Sequence, residues 1–328
     1  MSVRVGLLTA AHLHVGGYAA ACKNHPEVEL IGMWDDNETR GKEFADPRGI
    51  SFFGNLDDLL SQVDAVVITS ENMRHAELAV KAASAGKHVL CEKPLAATEE
   101  HGKQILEAAA KANIKLMTAF PCRFSPAFKL LKERIARDEI GAIQAICATN
   151  RGRNPGGWFV EKDLSGGGAM IDHVVHVSDL LRDLLDEEPV RVQAQIGNNV
   201  YGQDWEDTAM LTIEFESGIF ATLDSSWSRP NAYHTWGDVT MNVVGDKGVI
   251  ELDMFGQSIQ RYANGPVTHL QYGYGTDLDA EMVKEFVLAI QEDREPIVSG
   301  FDGMQAARVA LAGYESVQTG QPVAMARG

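Results

Sequence analysis

Few cysteines, no basic block and no long apolar run characterise this chain of 328 residues. Its four cysteines, Cys22, Cys91, Cys122 and Cys147, form no CxxC pair and have no histidine at zinc-finger spacing, which argues against a disulfide scaffold or a small structural zinc module. They read as buried free thiols of a reducing compartment. No Lys/Arg block exceeds two residues, and 29 basic against 46 acidic residues leave a net charge of −17. Such a balance repels phosphate backbones and anionic lipid, so neither nucleic acid nor a membrane surface is an expected partner. The apolar stretch before His12 is only about seven residues, too short for a signal h-region, and nothing later reaches the roughly 18 that a membrane span needs. Cytoplasm is the expected address.

What is present is the composition of a soluble globular protein, 45% hydrophobic and 23% charged. The length suggests two domains. From residue 3 to about 120, β-branched runs (Val3–Leu8, Val28–Trp34, Ala65–Thr69, Lys87–Cys91, Lys115–Ala119) alternate with segments whose apolar residues recur at three- and four-residue spacing. Thr98 before Glu99 and Glu100 is a good helix N-cap, and Gly86 suits a helix end. A βαβα rhythm predicts a doubly wound parallel sheet of Rossmann type, because a parallel strand returns only through a long crossover. After residue 122 the rhythm changes. A helix near 125–137, a loop from Asn150 to Phe159 and a long helix after Gly166-Gly167-Gly168 precede alternating strands near 190–196, 208–215, 219–226, 239–244 and 249–252. Tight turns between those strands predict a largely antiparallel open sheet with flanking helices, an α+β domain. The expected boundaries are 1–122 and 123–328, giving α/β plus α+β overall.

In a doubly wound sheet the ligand crevice lies beyond the carboxyl ends of the strands. The first turn there normally carries GxGxxG, so that backbone can approach a pyrophosphate at a helix N-terminus. Here Thr9, Ala11 and His14 stand in those places. By that motif alone no nucleotide site would be assigned, and a positive φ at Thr9 would cost on the order of 1 kcal/mol or more. Asp35, at the end of the second strand, is the better signal: a carboxylate there accepts both adenosine ribose hydroxyls and repels a 2′-phosphate. That favours NAD, with NADP the lesser alternative because of nearby Arg40. Position alone allows Asp35, Asp36 and Asn37 to be a helix-capping cluster instead.

GKHVLCEKPLA at 86–96, then Arg123-Phe124-Ser125-Pro126, SGGGAMIDHVVHVSDLL at 165–181 and the closing PIVSGFDG and GQPV, in this order over essentially the whole chain, resemble the Gfo/Idh/MocA oxidoreductases (glucose-fructose oxidoreductase, inositol dehydrogenase and rhizopine-catabolism type). The resemblance implies NAD(P)-dependent hydride transfer on a sugar, inositol or related polyol. It also implies subunit contacts through the second sheet, hence a dimer or tetramer. It places Lys93 of the Glu-Lys-Pro segment beside nicotinamide and substrate, and Asp172 and His176 as the Asp-x-x-x-His pair whose histidine is the acid/base. With the first-turn residues Thr9, Ala11, His12 and Leu13 and with Asp35, it implies cofactor contacts from Ser70, Glu71, Asn72, His75, Glu92, Lys93 and Arg123. Three departures stand out: the replaced glycines, Ser70-Glu71-Asn72 where Thr-Pro-Asn is frequent, and His173 inside the catalytic motif.

These residue types suit the chemistry. Oxidising a secondary alcohol needs a base with a pKa near working pH at the hydroxyl, and histidine meets that need. Asp172, His176, Asp179 and Asp183 recur at four, three and four residues, forming one helical stripe, with Met170, Val174, Val177, Leu181 and Leu184 roughly opposite. The competing reading of that stripe is the solvated face of an amphipathic helix. An ammonium at a strand end, Lys93, could stabilise a developing alkoxide. Arg151, Arg153 and Trp158, and His173 beside the motif, are substrate candidates, although a loop Trp packed into the core is as common. No metal is expected, because His173, His176 and Asp179 lack a convincing further ligand. Two alternatives compete with a dehydrogenase: glycoside cleavage with catalytic NAD through transient oxidation and elimination, and a non-catalytic sugar or nucleotide sensor.

Overall fold

The computed structural model describes residues 2–262, 264 and 269–325. Among the described residues fifteen strands and ten α-helices follow one another along the chain. The first part contains β1 (Val3–Leu8), α1 (Val15–Asn24), β2 (Val28–Trp34), α2 (Glu38–Ala45), β3 (Phe52–Phe53), α3 (Leu56–Leu60), β4 (Ala65–Ile68), α4 (His75–Ser84), β5 (His88–Cys91), α5 (Glu99–Ala112) and β6 (Leu116–Thr118). The middle contains α6 (Pro126–Ala136), β7 (Ile143–Thr149), α7 (Lys162–Ser165), α8 (Ala169–Leu185), β8 (Pro189–Gly197), β9 (Thr208–Phe215) and β10 (Phe220–Asp224). The last part contains β11 (Thr240–Gly245), β12 (Val249–Asp253), β13 (Ser258–Tyr262), β14 (His269–Gly273), α9 (Leu278–Gln291), α10 (Gly300–Thr319) and β15 (Val323–Ala324). They form two compact units. One is Met1–Pro121 with Glu161–Gly166 and Leu278–Ala307; the other is Cys122–Val160 with Gly167–Asp277 and Arg308–Gly328.

The first unit holds a six-stranded, all-parallel sheet in the order β3-β2-β1-β4-β5-β6. Its inner strands are apolar on both faces, as helices on each side require: every residue of β4 is buried. The helix ends follow local chemistry. Thr98 caps α5 by accepting the His101 N–H at 3.1 Å, and Asn37 caps α2 by accepting the Arg40 N–H. Strand order reverses between β1 and β4, both of which start from the middle of the sheet, so the switch point lies at their carboxyl ends. The two-residue edge strand β3 has no periodicity that sequence patterning could register.

The second unit holds a seven-stranded sheet, β12-β11-β7-β10-β9-β8-β15. Its neighbours run antiparallel except β7 and β10, which are parallel, so the sheet is mixed where tight turns alone predict antiparallel pairing. Burial alternates strictly along β9 and β10. Ala209, Leu211, Ile213, Phe215, Ala221 and Leu223 point into the core, whereas Met210 and Phe220 stand on the open face. Cys147 lies in that outward register on β7 and is exposed. This corrects the expectation of four buried thiols; Cys22, Cys91 and Cys122 are buried. Among the described residues no helix is long and apolar enough to cross a membrane.

Candidate active site

At the switch point of the first unit the chain leaves β1 through Thr9, which is fully buried and has φ +68°. A β-branched residue in this left-handed region is strained, and the strain is held by hydrogen bonds. Thr9 Oγ1 donates to the Thr69 carbonyl at 2.8 Å, Thr69 Oγ1 donates back to the Thr9 carbonyl at 2.7 Å, and the Thr9 N–H donates to Trp34 at 2.7 Å. The turn therefore keeps the backbone course of a glycine turn without the glycine. Its next amide, on Ala10, donates to Asp35 Oδ2 at 2.7 Å, and the His12 amide donates to the Thr69 carbonyl at 2.9 Å. Leu13 is exposed.

Asp35, buried at the end of β2, is already strongly engaged. Arg40 grips it through Nε to Oδ2 at 3.0 Å and Nη2 to Oδ1 at 2.8 Å, and the Asn37 amide donates to Oδ1 at 2.8 Å. The cap of α2 is Asn37, and Asp35 accepts the amide of that capping residue. Arg40 also reaches Asp36 and Glu71, and Arg74 reaches Asp36, Glu71 and Glu77. Burial opposes ionisation of Asp36, but Arg74 and Arg40 outweigh it and hold this carboxyl below its usual range. Two guanidinium groups stand here among four carboxylates.

The segment after β4 packs Ser70, Glu71, Asn72 and His75 into the same unit. Ser70 Oγ donates to the Glu71 carbonyl at 3.1 Å, and Asn72 Nδ2 donates to the Ser165 carbonyl at 2.8 Å. The two ring nitrogens of the fully buried His75 face the carbonyls of Pro94 at 2.9 Å and Ser70 at 3.3 Å. Burial lowers its pKa. After β5, Glu92 is wholly buried. Its Oε2 accepts the Lys93 backbone N–H at 2.7 Å, and its Oε1 receives the Tyr18 hydroxyl at 2.6 Å and lies 2.6 Å from His14 Nδ1. Desolvation disfavours the Glu92 carboxylate, yet His12, His14 and Lys93 outweigh it and hold this pKa well below the usual range. Lys93 is itself 4% exposed. The fold thus gathers Thr9, Ala11, His12, Asp35, Ser70, Glu71, Asn72, His75, Glu92 and Lys93 within this unit, after the carboxyl ends of β1, β2, β4 and β5.

In the second unit, α8 is buried along most of its length, which excludes the solvated-face reading of its polar stripe. The turn before it can only be glycine: a Cβ on Gly168 would stand 2.2 Å from the Glu206 carbonyl. Asp172, 6% exposed, accepts the Trp227 indole N–H at 3.0 Å and lies 3.1 Å from His173 Nε2. Its place in the first turn suits the helix dipole. His173 Nδ1 lies 2.7 Å from the Asn150 carbonyl, and its ring sits where a Cβ on Gly152 would come within 2.2 Å. His173 therefore orders the base of the loop. His176 is half-buried one turn beyond Asp172. Farther along, Asp179 and Asp183 take the Arg123 guanidinium: Nε to Asp179 Oδ2 at 2.8 Å, Nη2 to Asp179 Oδ1 at 2.6 Å, Nη1 to Asp183 Oδ1 at 2.9 Å.

The loop residues are also held internally. Arg151 pairs with Asp238 through Nε at 3.0 Å, and Arg153 Nη2 donates to the carbonyls of Tyr233 and Thr235 at 2.8 Å each. Trp158 stacks on Phe159, centroids 3.9 Å apart, beside Trp227 and Ala169. Trp227 and Tyr18, which are not among the residues singled out from the sequence, donate to the buried carboxylates of Asp172 and Glu92. Neither position carries a local pattern that signals this.

A sequence profile described as the oxidoreductase family with NAD-binding Rossmann fold matches residues 5–120, and the GFO/IDH/MocA C-terminal domain matches 128–251. Inositol 2-dehydrogenase of Rhizobium meliloti (strain 1021) is 28% identical, with 99% of this chain and 100% of that protein covered. The 1,5-anhydro-D-fructose reductase of Ensifer adhaerens is also 28% identical, with 92% of each covered. Among solved structures, GenD2 from gentamicin A biosynthesis in complex with NAD superposes with a TM-score of 0.91 at 25% identity, covering 99% of this chain and 97% of that one. The two matched profiles, in this order and over the sheets described above, make the chain a member of the Gfo/Idh/MocA family of oxidoreductases.

Proposed function

We propose that the protein is an NAD-dependent oxidoreductase that transfers hydride between nicotinamide and a secondary alcohol of a sugar, inositol or related polyol. The observation that carries this reading is the buried Asp172 on α8, oriented by the Trp227 N–H, with the half-buried His176 one turn later. A buried carboxylate and a half-buried imidazole at helical spacing are the pair a polyol oxidation needs. The relatives named as inositol and anhydrofructose enzymes support the substrate class.

The residues of the first unit fit a dinucleotide. The left-handed Thr9 lets the turn follow a glycine course, and Asp35 stands where adenosine ribose hydroxyls are expected. Thr9, Ala11, His12, Leu13, Asp35, Ser70, Glu71, Asn72, His75, Glu92 and Lys93 would hold it. Bound NAD supplies the hydride acceptor. Asp35, Asp36, Glu71 and Glu77 outnumber Arg40 and Arg74, and this surplus disfavours the extra phosphate of NADP. In the reaction His176 accepts the hydroxyl proton at an imidazole nitrogen, Asp172 fixes a neighbouring hydroxyl, and the Lys93 ammonium orients the reacting oxygen and stabilises negative charge on it.

The test is substrate-dependent NADH formation across inositols and sugars. His176→Ala and Lys93→Ala are expected to lower kcat about 10²–10⁴-fold while the proteins stay folded. Unchanged turnover in both would remove these roles, and release of an aglycone without accumulating NADH would assign cleavage instead. We further propose a homo-oligomer, dimer or tetramer, formed through the open face of the second sheet, in a reducing compartment such as the cytoplasm.

A further inference from the structure

The turn after β1 and the end of β5 bring three metal-binding side chains to one point in the first unit. His14 Nδ1 lies 2.6 Å and His12 Nδ1 3.4 Å from the same oxygen, Glu92 Oε1, and one ligand atom from each residue lies within 4.8 Å of the others. His12 Nδ1 also accepts the backbone N–H of His14 at 3.2 Å, which marks it as the unprotonated nitrogen; an ion bound there would take the place of that amide contact. The two rings meet edge to face, centroids 4.5 Å apart. Two imidazoles and one carboxylate are the protein ligands of many open zinc sites. With zinc–ligand bonds of about 2.0–2.1 Å, tetrahedral ligand atoms stand about 3.3 Å apart. The His12–Glu92 separation of 3.4 Å matches that value, and the 2.6 Å between His14 and Glu92 would have to open by less than 1 Å.

The surroundings are those of an ordered site. Glu92 is held on both oxygens, by the Tyr18 hydroxyl and the Lys93 amide, as outer partners of a metal ligand usually are. His12 and Glu92 side chains are 2% and 0% exposed, whereas His14 retains 38% exposure and gives access from solvent. Asp279 adds negative potential at His14, partly offsetting the nearby Lys93 ammonium.

We infer that His12, His14 and Glu92 form a binding site for a divalent transition metal of the zinc class, with water as fourth ligand on the His14 side. The site shares His12 and Glu92 with the proposed dinucleotide turn, but neither the family assignment nor the proposed reaction requires it, and the two can fail separately, because the test reads metal binding without added dinucleotide. Calorimetric titration of the full-length protein with ZnCl2 should show one equivalent bound. The affinity should fall at least tenfold in His14→Gln, a partly exposed position where circular dichroism is expected to stay native. Co²⁺ in place of zinc should give the intense visible bands of a tetrahedral site without thiolate charge transfer. No stoichiometric binding, binding indifferent to His14→Gln, or a thiolate signature would each overturn the site.

Discussion

At the residue scale, the first turn shows a local rule broken and compensated. Thr9 takes a conformation that glycine adopts freely, and its hydroxyl supplies hydrogen bonds that glycine lacks. The strain is about 1–3 kcal/mol and a typical hydrogen bond returns about 1 kcal/mol. Thr9→Gly is therefore expected to unfold in urea within about 1 kcal/mol of the parent. Thr9→Val, which keeps the strain and loses the hydroxyl, should be destabilised by about 1–2 kcal/mol; equal midpoints for the two variants would contradict this account. His75 gives a second residue-level prediction. Burial lowers its pKa below 6.5, so between that value and its native pKa the unfolded chain binds the extra proton and stability falls as pH falls. His88, also lowered, acts in the same direction. At His14 burial alone would lower the pKa, but Glu92 reverses the sign and raises it, so its contribution is complete below 6.5 and is lost as pH rises through the native value. His75 and His88 thus work against His14 between pH 7 and 5, and relative to the parent His75→Gln should remove a loss of stability with falling pH of up to about 1.4 kcal/mol per pH unit, read from urea midpoints.

At the scale of elements, α8 carries on one stripe both the residues proposed for the chemistry and a buried ion cluster. Asp172 and His176 occupy its first half, while Asp179 and Asp183 clamp Arg123 in its second. Asp179 is fully buried, so removing its partner strands a charge in low dielectric. Arg123→Ala should cost about 3–5 kcal/mol in chemical denaturation. If instead the variant unfolds like the parent and only KM for NAD rises, Arg123 serves the cofactor. Most elements were legible from the sequence, because periodicity and caps are local: the predicted runs at Val3–Leu8, Val28–Trp34 and Thr208–Phe215 coincide with β1, β2 and β9. The edge strand β3 and the parallel pairing of β7 with β10 were not, since one is too short to show a period and the other joins segments about seventy residues apart through no tight turn.

At the scale of the molecule, the second sheet leaves one face uncovered by the alternation of its own strands. Met210, Phe220 and Cys147 share that face with Thr212 and Thr222, whose Cα atoms are paired across β9 and β10. A face that sets exposed Met210 and Phe220 among threonines is the surface assigned to the proposed interface. Light scattering after gel filtration should give twice or four times the mass of one chain, and Thr222→Lys, placing like charges across a two-fold contact, should lower it. A parent protein eluting as a monomer would remove the proposed interface.

Sequence by itself determined the two sheet types and the family and singled out Lys93, Asp172 and His176 as candidates, because hydrophobic period and contiguous motifs are written along the chain. Only the tertiary structure decided that Arg40 already holds Asp35, that Trp227 orients Asp172, and that Glu92 meets His14 across 78 residues. Those partners are chosen by which strands lie side by side and which groups must share a buried space, and a buried carboxylate takes whichever donor the packing brings to it.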